Sequence, residues 1–400
     1  MLSKGIAALA IALALQPSVA QARPGSLISA ARMADAPASF QAWRIRYETT
    51  DASGRRTEAT GVLVSPRGSA GRLKRDVMAW AHPTVGIAEA CAPSAQPNVL
   101  ETIPNLAGLI AQGWVVVATD YPGLGTPGPN AYLVGEAEAR SLLDSVRAAQ
   151  GLAQVGAGRR FGVWGLSQGA HAALFTGEVS KRYAPELEIV GVAAAAPPTD
   201  LSANLGGGVN PTVRAALTAF AAQSWSEVYD VDLSIIARPV AQRVIRRLAG
   251  RCSSPDPALR TKIEVLRLRR QLRDVDLTLI DPWRGLLRRN SAGSVSAGAP
   301  LLIAQSAGDQ VVAPAVTRNF VARACSRGEK VLFVAAGDGP HATTASVTAA
   351  QTISWFAGRF AGNRRQEQAR VAPSVQTFPD PPADQRDFAG GFTGTMATDR

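Results

Sequence analysis

The chain has 400 residues, 46% hydrophobic and 18% charged, a balance that excludes a wholly disordered polymer. Its 37 glycines and 26 prolines follow no three-residue period, which excludes collagen, and three cysteines with three histidines are too few for a multi-finger zinc protein. The formal charge of +11, with 37 Arg and 5 Lys against 31 acids, leaves nucleic acid and anionic membrane surfaces to be weighed.

The N-terminus reads as an address. Lys4 is followed by an apolar run from Ile6 to Leu15, then Pro17 and Ala20-Gln21-Ala22, the pattern of a signal peptide over residues 1–22 cleaved near Ala22. The run is shorter than the roughly 20 apolar residues of a bilayer span. The expectation is a secreted or periplasmic protein in a compartment that permits disulfides.

Residues 43–47 alternate apolar and polar, residues 60–64 are apolar with β-branched Thr60, Val62 and Val64, and Asp51-Ala52-Ser53-Gly54 lies between them, which predicts an antiparallel hairpin. Short apolar runs recur at 77–81, 114–118, 161–164, 189–195, 301–304 and 331–335, as expected of strands buried on both faces. Helical patterns at 98–112, 135–152, 168–182, 314–325 and 342–360 separate them, so the fold class is α/β with a mostly parallel central sheet flanked by helices. No strand is apparent from 198 to 298, where 214–225, 240–248 and 260–272 read as helices. The domain reading is therefore a core at 23–198 and 299–362, a helical cap inserted at 199–298, and a polar tail at 363–400 predicted to be disordered.

The chemistry is carried by Gly165-Leu166-Ser167-Gln168-Gly169, between a predicted strand and a predicted helix. This is a nucleophile elbow. The serine sits on so sharp a turn that the residues two before and two after it are pressed together, and glycine fits there. A hydroxyl needs a base. His341 lies after the last strand, where the base belongs; His171 on the elbow helix reads as a packing residue and His82 as part of the oxyanion loop. Asp309, on the turn after the strand at 301–304, is preferred as the third member over Asp338, which sits in a glycine turn where Asp is common for backbone reasons. The oxyanion would meet the N–H of Gln168 and that of Thr84 or Val85, since Pro83 has none.

Together these residues resemble the α/β-hydrolase fold, and more narrowly the secretory lipase family of the yeast lipase A type. The resemblance covers roughly residues 40 to 360 and is carried by Ala81-His82-Pro83-Thr84-Val85-Gly86 with Cys91-Ala92-Pro93-Ser94, Asp120-Tyr121-Pro122-Gly123-Leu124-Gly125, Leu143-Asp144-Ser145, the elbow, Gly308-Asp309 and Gly339-Pro340-His341. It implies a secreted carboxylic-ester hydrolase with a cap over an acyl pocket, and a disulfide from the oxyanion loop to the cap, here Cys91 to Cys252. Cys325 is then left without a partner.

Gly123-Leu124-Gly125-Thr126-Pro127-Gly128 matches a dinucleotide fingerprint, but Pro127 and Pro129 continue a loop where a helix should begin. Residues 199–290 hold 15 Lys or Arg against 9 Asp or Glu. Basic residues without interleaved aromatics fit an anionic lipid surface better than nucleic acid. The sequence thus reads as a lipase or esterase working by a Ser167-His341-Asp309 triad on a small-molecule or lipid ester, with no metal or organic cofactor. Acyl transfer or amide hydrolysis by the same triad, and a non-catalytic exported binding protein, are the alternatives.

Overall fold

The computed structural model describes residues 23–68, 74–207, 210–254, 256–273 and 275–362. The segments read as a signal peptide and a tail lie outside the described residues. Nine strands form one sheet: β1 (Leu27–Arg32), β2 (Phe40–Thr50), β3 (Arg56–Pro66), β4 (Arg75–Ala81), β5 (Val115–Thr119), β6 (Ala157–Leu166), β7 (Glu188–Ala195), β8 (Leu301–Gln305) and β9 (Val331–Ala335). Their order is β1-β2-β3-β5-β4-β6-β7-β8-β9. The first four in that order are antiparallel neighbours and the rest run parallel.

The hairpin of β2 and β3 is closed by Asp51, whose Oδ1 accepts the N–H groups of Ser53 (2.8 Å) and Arg55 (2.9 Å). The six apolar runs are the six strands from β4 onward. They are apolar throughout because helices cover both faces. On one face, α2 (Gly135–Gly151) and α3 (Gln168–Tyr183) supply Leu142, Leu143, Val146, Ala170 and Leu174, and α9 (Pro314–Ser326) supplies Phe320. On the other, α1 (Leu106–Ala111), α10 (Thr344–Val347) and α11 (Ala349–Phe360) supply Leu109, Ala345, Ile353 and Phe356. Each large side chain buried in this way contributes about 1.5–3 kcal/mol.

Two expectations need correction, and one strand is added. A single helix over 98–112 does not form: a 3-10 turn at Val99–Thr102 precedes Pro104, and α1 restarts at Leu106 with Asn105 in a left-handed conformation accepting the Gly108 N–H at 3.1 Å. Proline removes the donor a continuous helix would need. The helix expected over 342–360 is interrupted at Thr348, whose hydroxyl bonds back to Thr344 O at 2.7 Å. Strand β1 was not foreseen, being a half-exposed edge strand without apolar alternation.

Between β7 and β8 the described residues form α4 (Leu201–Gly207), α5 (Pro211–Tyr229), α6 (Pro239–Ala249), α7 (Leu259–Gln271) and α8 (Trp283–Arg289), with no strand. Their apolar cluster includes Tyr132, Leu133, Val134 and Ala137 from the segment leading into α2, so these helices share a core with the sheet-bearing body. Trp225 and Trp283 stack within it, and the Trp225 indole N–H donates to Tyr132 O at 2.9 Å. A disulfide joins Cys91 to Cys252 across 161 residues, with Cα atoms 5.2 Å apart. The chain-entropy model credits such a closure with about 5 kcal/mol. Cys325 is free and exposed.

Candidate active site

The strand order reverses between β4 and β6, and the crevice above the carboxyl ends of such neighbours is where open α/β sheets hold ligands. Ser167 follows β6 at that point. Its φ of 56° and ψ of −118° lie in a region that costs a non-glycine residue about 1–3 kcal/mol. The glycines around it make the turn possible: a Cβ on Gly165 would overlap Gly169 O, and one on Gly169 would overlap Ala81 O at the end of β4. Gln168 opens α3, so its N–H has no partner in a preceding helical turn.

The loop after β8 carries Asp309, and His341 opens a 3-10 turn (His341–Thr343) after β9. Asp309 Oδ2 accepts the Nδ1–H of His341 at 2.7 Å and an amide hydrogen of Gln305 at 2.9 Å. Oδ1 accepts the N–H groups of Val311 (2.8 Å) and Val312 (2.9 Å). Burial pushes the Asp309 carboxyl up, but the hydrogen bond and charge of His341 and the two backbone donors outweigh it and hold the pKa below the ordinary value. The two loops are stitched together. Ala307 N–H donates to Gly337 O at 2.7 Å, and the Ser306 hydroxyl donates to Gly339 O. Asp338 makes no bond to the imidazole.

His341 Nε2 is buried and makes no hydrogen bond, and among the described residues none joins it to Ser167 Oγ. Ser167, Gln168, Tyr132, Leu133, Leu205 and Arg214 line a cavity of about 30 Å³. Ester-sized pockets are about tenfold larger. The wall toward Leu205 and Arg214 belongs to α4 and α5.

The loop expected to meet an oxyanion follows β4. His82 is buried there, with Nδ1 2.7 Å from Pro83 O, Nε2 3.3 Å from Asp120 O, and its ring against Tyr121. Asp120 also binds the N–H and hydroxyl of Ser94 and the hydroxyl of Thr60; burial raises its pKa and these donors oppose the rise. The N–H groups of Thr84 and Val85 make no hydrogen bond among the described residues. The Thr84 hydroxyl is 3.0 Å from the Tyr132 hydroxyl, and Val85 O accepts Ser253 N–H at 2.8 Å.

A second carboxylate–histidine pair was not read from the sequence. Glu138 on α2 is buried, with Oε2 3.0 Å from His171 Nδ1. Its Oε1 accepts from the Gln168 amide (2.8 Å) and Leu133 N–H (3.0 Å). His171 Nε2 lies 2.7 Å from Asn290 O, at the end of α8. The available signal was an acid within Ala137-Glu138-Ala139, on a helix whose neighbours are all small or apolar. Tyr132 and Gln305 were also missed. The described residues contain no cluster of His, Cys, Asp and Glu able to hold a metal ion.

The family model described as secretory lipase matches residues 99–368. Lipase A of Moesziomyces aphidis is 26% identical over 268 residues, 61% of this chain and 56% of that protein, so the match spans little more than half of that relative's length. A Mycobacterium tuberculosis protein described as a "probable inactive lipase" is 24% identical over 353 residues, 82% of this chain and 75% of its own. The crystal structure of Candida antarctica lipase A superposes with a TM-score of 0.71 at 20% identity, covering 85% of this chain and 83% of that one, a likeness of fold.

Proposed function

The chain belongs to the secretory lipase family, and from that premise we propose that it is an exported serine ester hydrolase acting on lipid or other carboxylic esters. Ser167 Oγ attacks the ester carbonyl carbon while His341 Nε2 takes its proton. Asp309 holds the Nδ1–H and stabilises the imidazolium. The oxyanion is met by the N–H of Gln168 and by that of Thr84 or Val85. The imidazolium then protonates the departing alcohol, leaving an acyl-Ser167. Water, activated by His341, attacks this acyl group, releasing the carboxylic acid and restoring the serine. The scheme uses no metal or organic cofactor.

One observation carries the reading: an imidazole fixed at Nδ1 by Asp309 keeps a buried, unpaired Nε2 on the sheet rim that bears the strained serine. Catalytic hydrogen bonds are commonly long in the free enzyme and tighten with substrate. Cleavage of the signal peptide near Ala22 completes the reading, and the Cys91–Cys252 bridge accords with an oxidising compartment.

The Mycobacterium relative gives the non-catalytic alternative a concrete form. A fluorophosphonate probe separates the two. Wild type takes up the label and Ser167→Ala does not; an unlabelled wild type, or equal labelling of both, refutes the proposal. Product analysis with an alcohol or amine acceptor present then assigns hydrolysis against acyl transfer, and amide substrates assign amidase activity.

A further inference from the structure

Helix α7 carries apolar residues on two opposite faces. Val265 and Leu268 are buried on the side packed against α5 and α6. On the other side Leu259, Ile263 and Leu266 are 72%, 41% and 47% exposed. Spacings of four and three residues stack these side chains into one stripe, and Arg270, four residues on, continues it. A surface helix needs one apolar stripe to join its own protein. A second, turned to water, marks a surface that something else covers. The exposure is regional: seven of the nine exposed large hydrophobics among the described residues lie between β7 and β8.

Cations border the stripe on both flanks. Arg260 and Arg267 fall on one side, Lys262 and Arg269 on the other, and Arg273 lies just past the helix. Lys262 pairs with Asp256 at 2.8 Å and Arg260 stands 3.8 Å from Glu264. Arg267, Arg270 and Arg273 pair with no carboxylate among the described residues. Beside the stripe runs a groove of about 700 Å³ lined by Leu266, Arg269, Arg270, Arg273, Asp276 and Arg214. Arg214 and Leu205 line both this groove and the cavity holding Ser167.

We infer that this face of α7 docks the protein on an anionic lipid layer, the apolar stripe entering the headgroup boundary and Arg267, Arg270 and Arg273 meeting acidic headgroups. An apolar stripe between two rows of cations is the pattern of a helix lying in a membrane interface. A second copy of the chain would bring the same cations against these ones. A nucleic acid would leave the aliphatic stripe unmatched, and the stripe holds no aromatic on which bases could stack. Docking in this way turns the groove, and the thin wall between it and the catalytic cavity, toward the lipid. The inference gives the ester-hydrolase reading a surface to work on, but its test needs no turnover.

The test uses the full Ser167→Ala chain and sedimentation with vesicles of phosphatidylcholine, with and without phosphatidylglycerol. Binding is expected to be at least about tenfold tighter to the anionic vesicles and to weaken with salt. Arg270→Glu/Arg273→Glu is expected to lower that affinity at least about tenfold. Leu259→Ser/Ile263→Ser is expected to abolish the binding that survives high salt. Arg159→Glu/Arg323→Glu changes net charge equally, away from α7, and should leave the affinity within about threefold by the same per-charge scale. An unchanged thermal unfolding midpoint certifies each variant as folded, and Arg270→Gln/Arg273→Gln substitutes for the reversal pair if that pair misfolds. Equal affinity for both vesicle types overturns the inference. So does an equal loss in the control pair, an apolar pair without effect, or wild-type self-association that Leu259→Ser abolishes.

Discussion

Two carboxylate–imidazole pairs of similar length sit within this fold, and what the far ring nitrogen meets separates them. At His341 the Nδ1–H goes to Asp309 at 2.7 Å and Nε2 is left unpaired. At His171 the Nδ1 partner is Glu138 at 3.0 Å and the Nε2 partner is Asn290 O at 2.7 Å. Both ring nitrogens of His171 are thus held by protein partners, and neither faces a hydroxyl. His171 fastens α2, α3 and the end of α8 together. Asp309 stands on a loop and His341 on a 3-10 turn at the sheet rim, whereas Glu138 and His171 stand on helices packed against each other. On the proposed mechanism the same two functional groups serve as a base in one place and as a fastening in the other, and location on the fold decides which.

The sharpest way to break this contrast is to remove each histidine. His341→Ala should lower kcat per folded molecule at least about 10⁴-fold against a soluble ester. A loss below tenfold would place the base elsewhere. Asp309→Asn should lower kcat by about 10⁴ with little change in KM, because the asparagine stabilises the wrong imidazole tautomer.

His171→Ala should do the reverse. It leaves Glu138 buried without its cation-capable partner, a break worth about 3–5 kcal/mol. The expected midpoint falls by roughly 4–7 °C for a chain of this size, while activity per folded molecule measured at low temperature drops by less than tenfold. A catalytic loss as large as that of His341→Ala, without destabilisation, would merge the two roles.

A smaller effect concerns Glu178, further along α3. Burial raises its pKa to about 7, with the Gly293 N–H (2.6 Å) and His171 opposing and Glu329 adding to the rise. Unfolded, a glutamate ionises near about 4.3. Between those values the folded chain holds the extra proton, so stability falls as pH rises through that window. Glu178→Gln should flatten the fall in unfolding midpoint from pH 5 to 8. Asp309 has the opposite sign: its depressed pKa supplies stability above about pH 4, lost as the solution becomes more acid.

The sequence disclosed the Asp309–His341 pair better than the Glu138–His171 pair, for a physical reason. Ser167 and its glycines are tied to local backbone sterics, and Asp309 and His341 to strand ends, so each leaves a mark in a short window. Glu138 meets His171 across 33 residues and Asn290 meets it across 119, pairings that only the packing of three helices creates. The same division holds for the fold. Strands buried on both faces announced themselves as apolar runs, whereas the edge strand β1, half exposed, carried no pattern. The break at Pro104 was written in the chain but overridden by apolar periodicity on either side. Helices α4 and α8, seven residues each, are too short to establish a period.

The contact between Gly169 and the end of β4 has a consequence for how such a protein can change. The helix behind the serine lies so near the Ala81 carbonyl that no methyl group fits between them. Alanine is the smallest step mutation can take from glycine, and it is already too large, so this spacing admits no intermediate settings. Adaptation to new substrates must then proceed where increments are available, in the aliphatic walls contributed by α4 and α5, while the machinery beneath is inherited whole or lost.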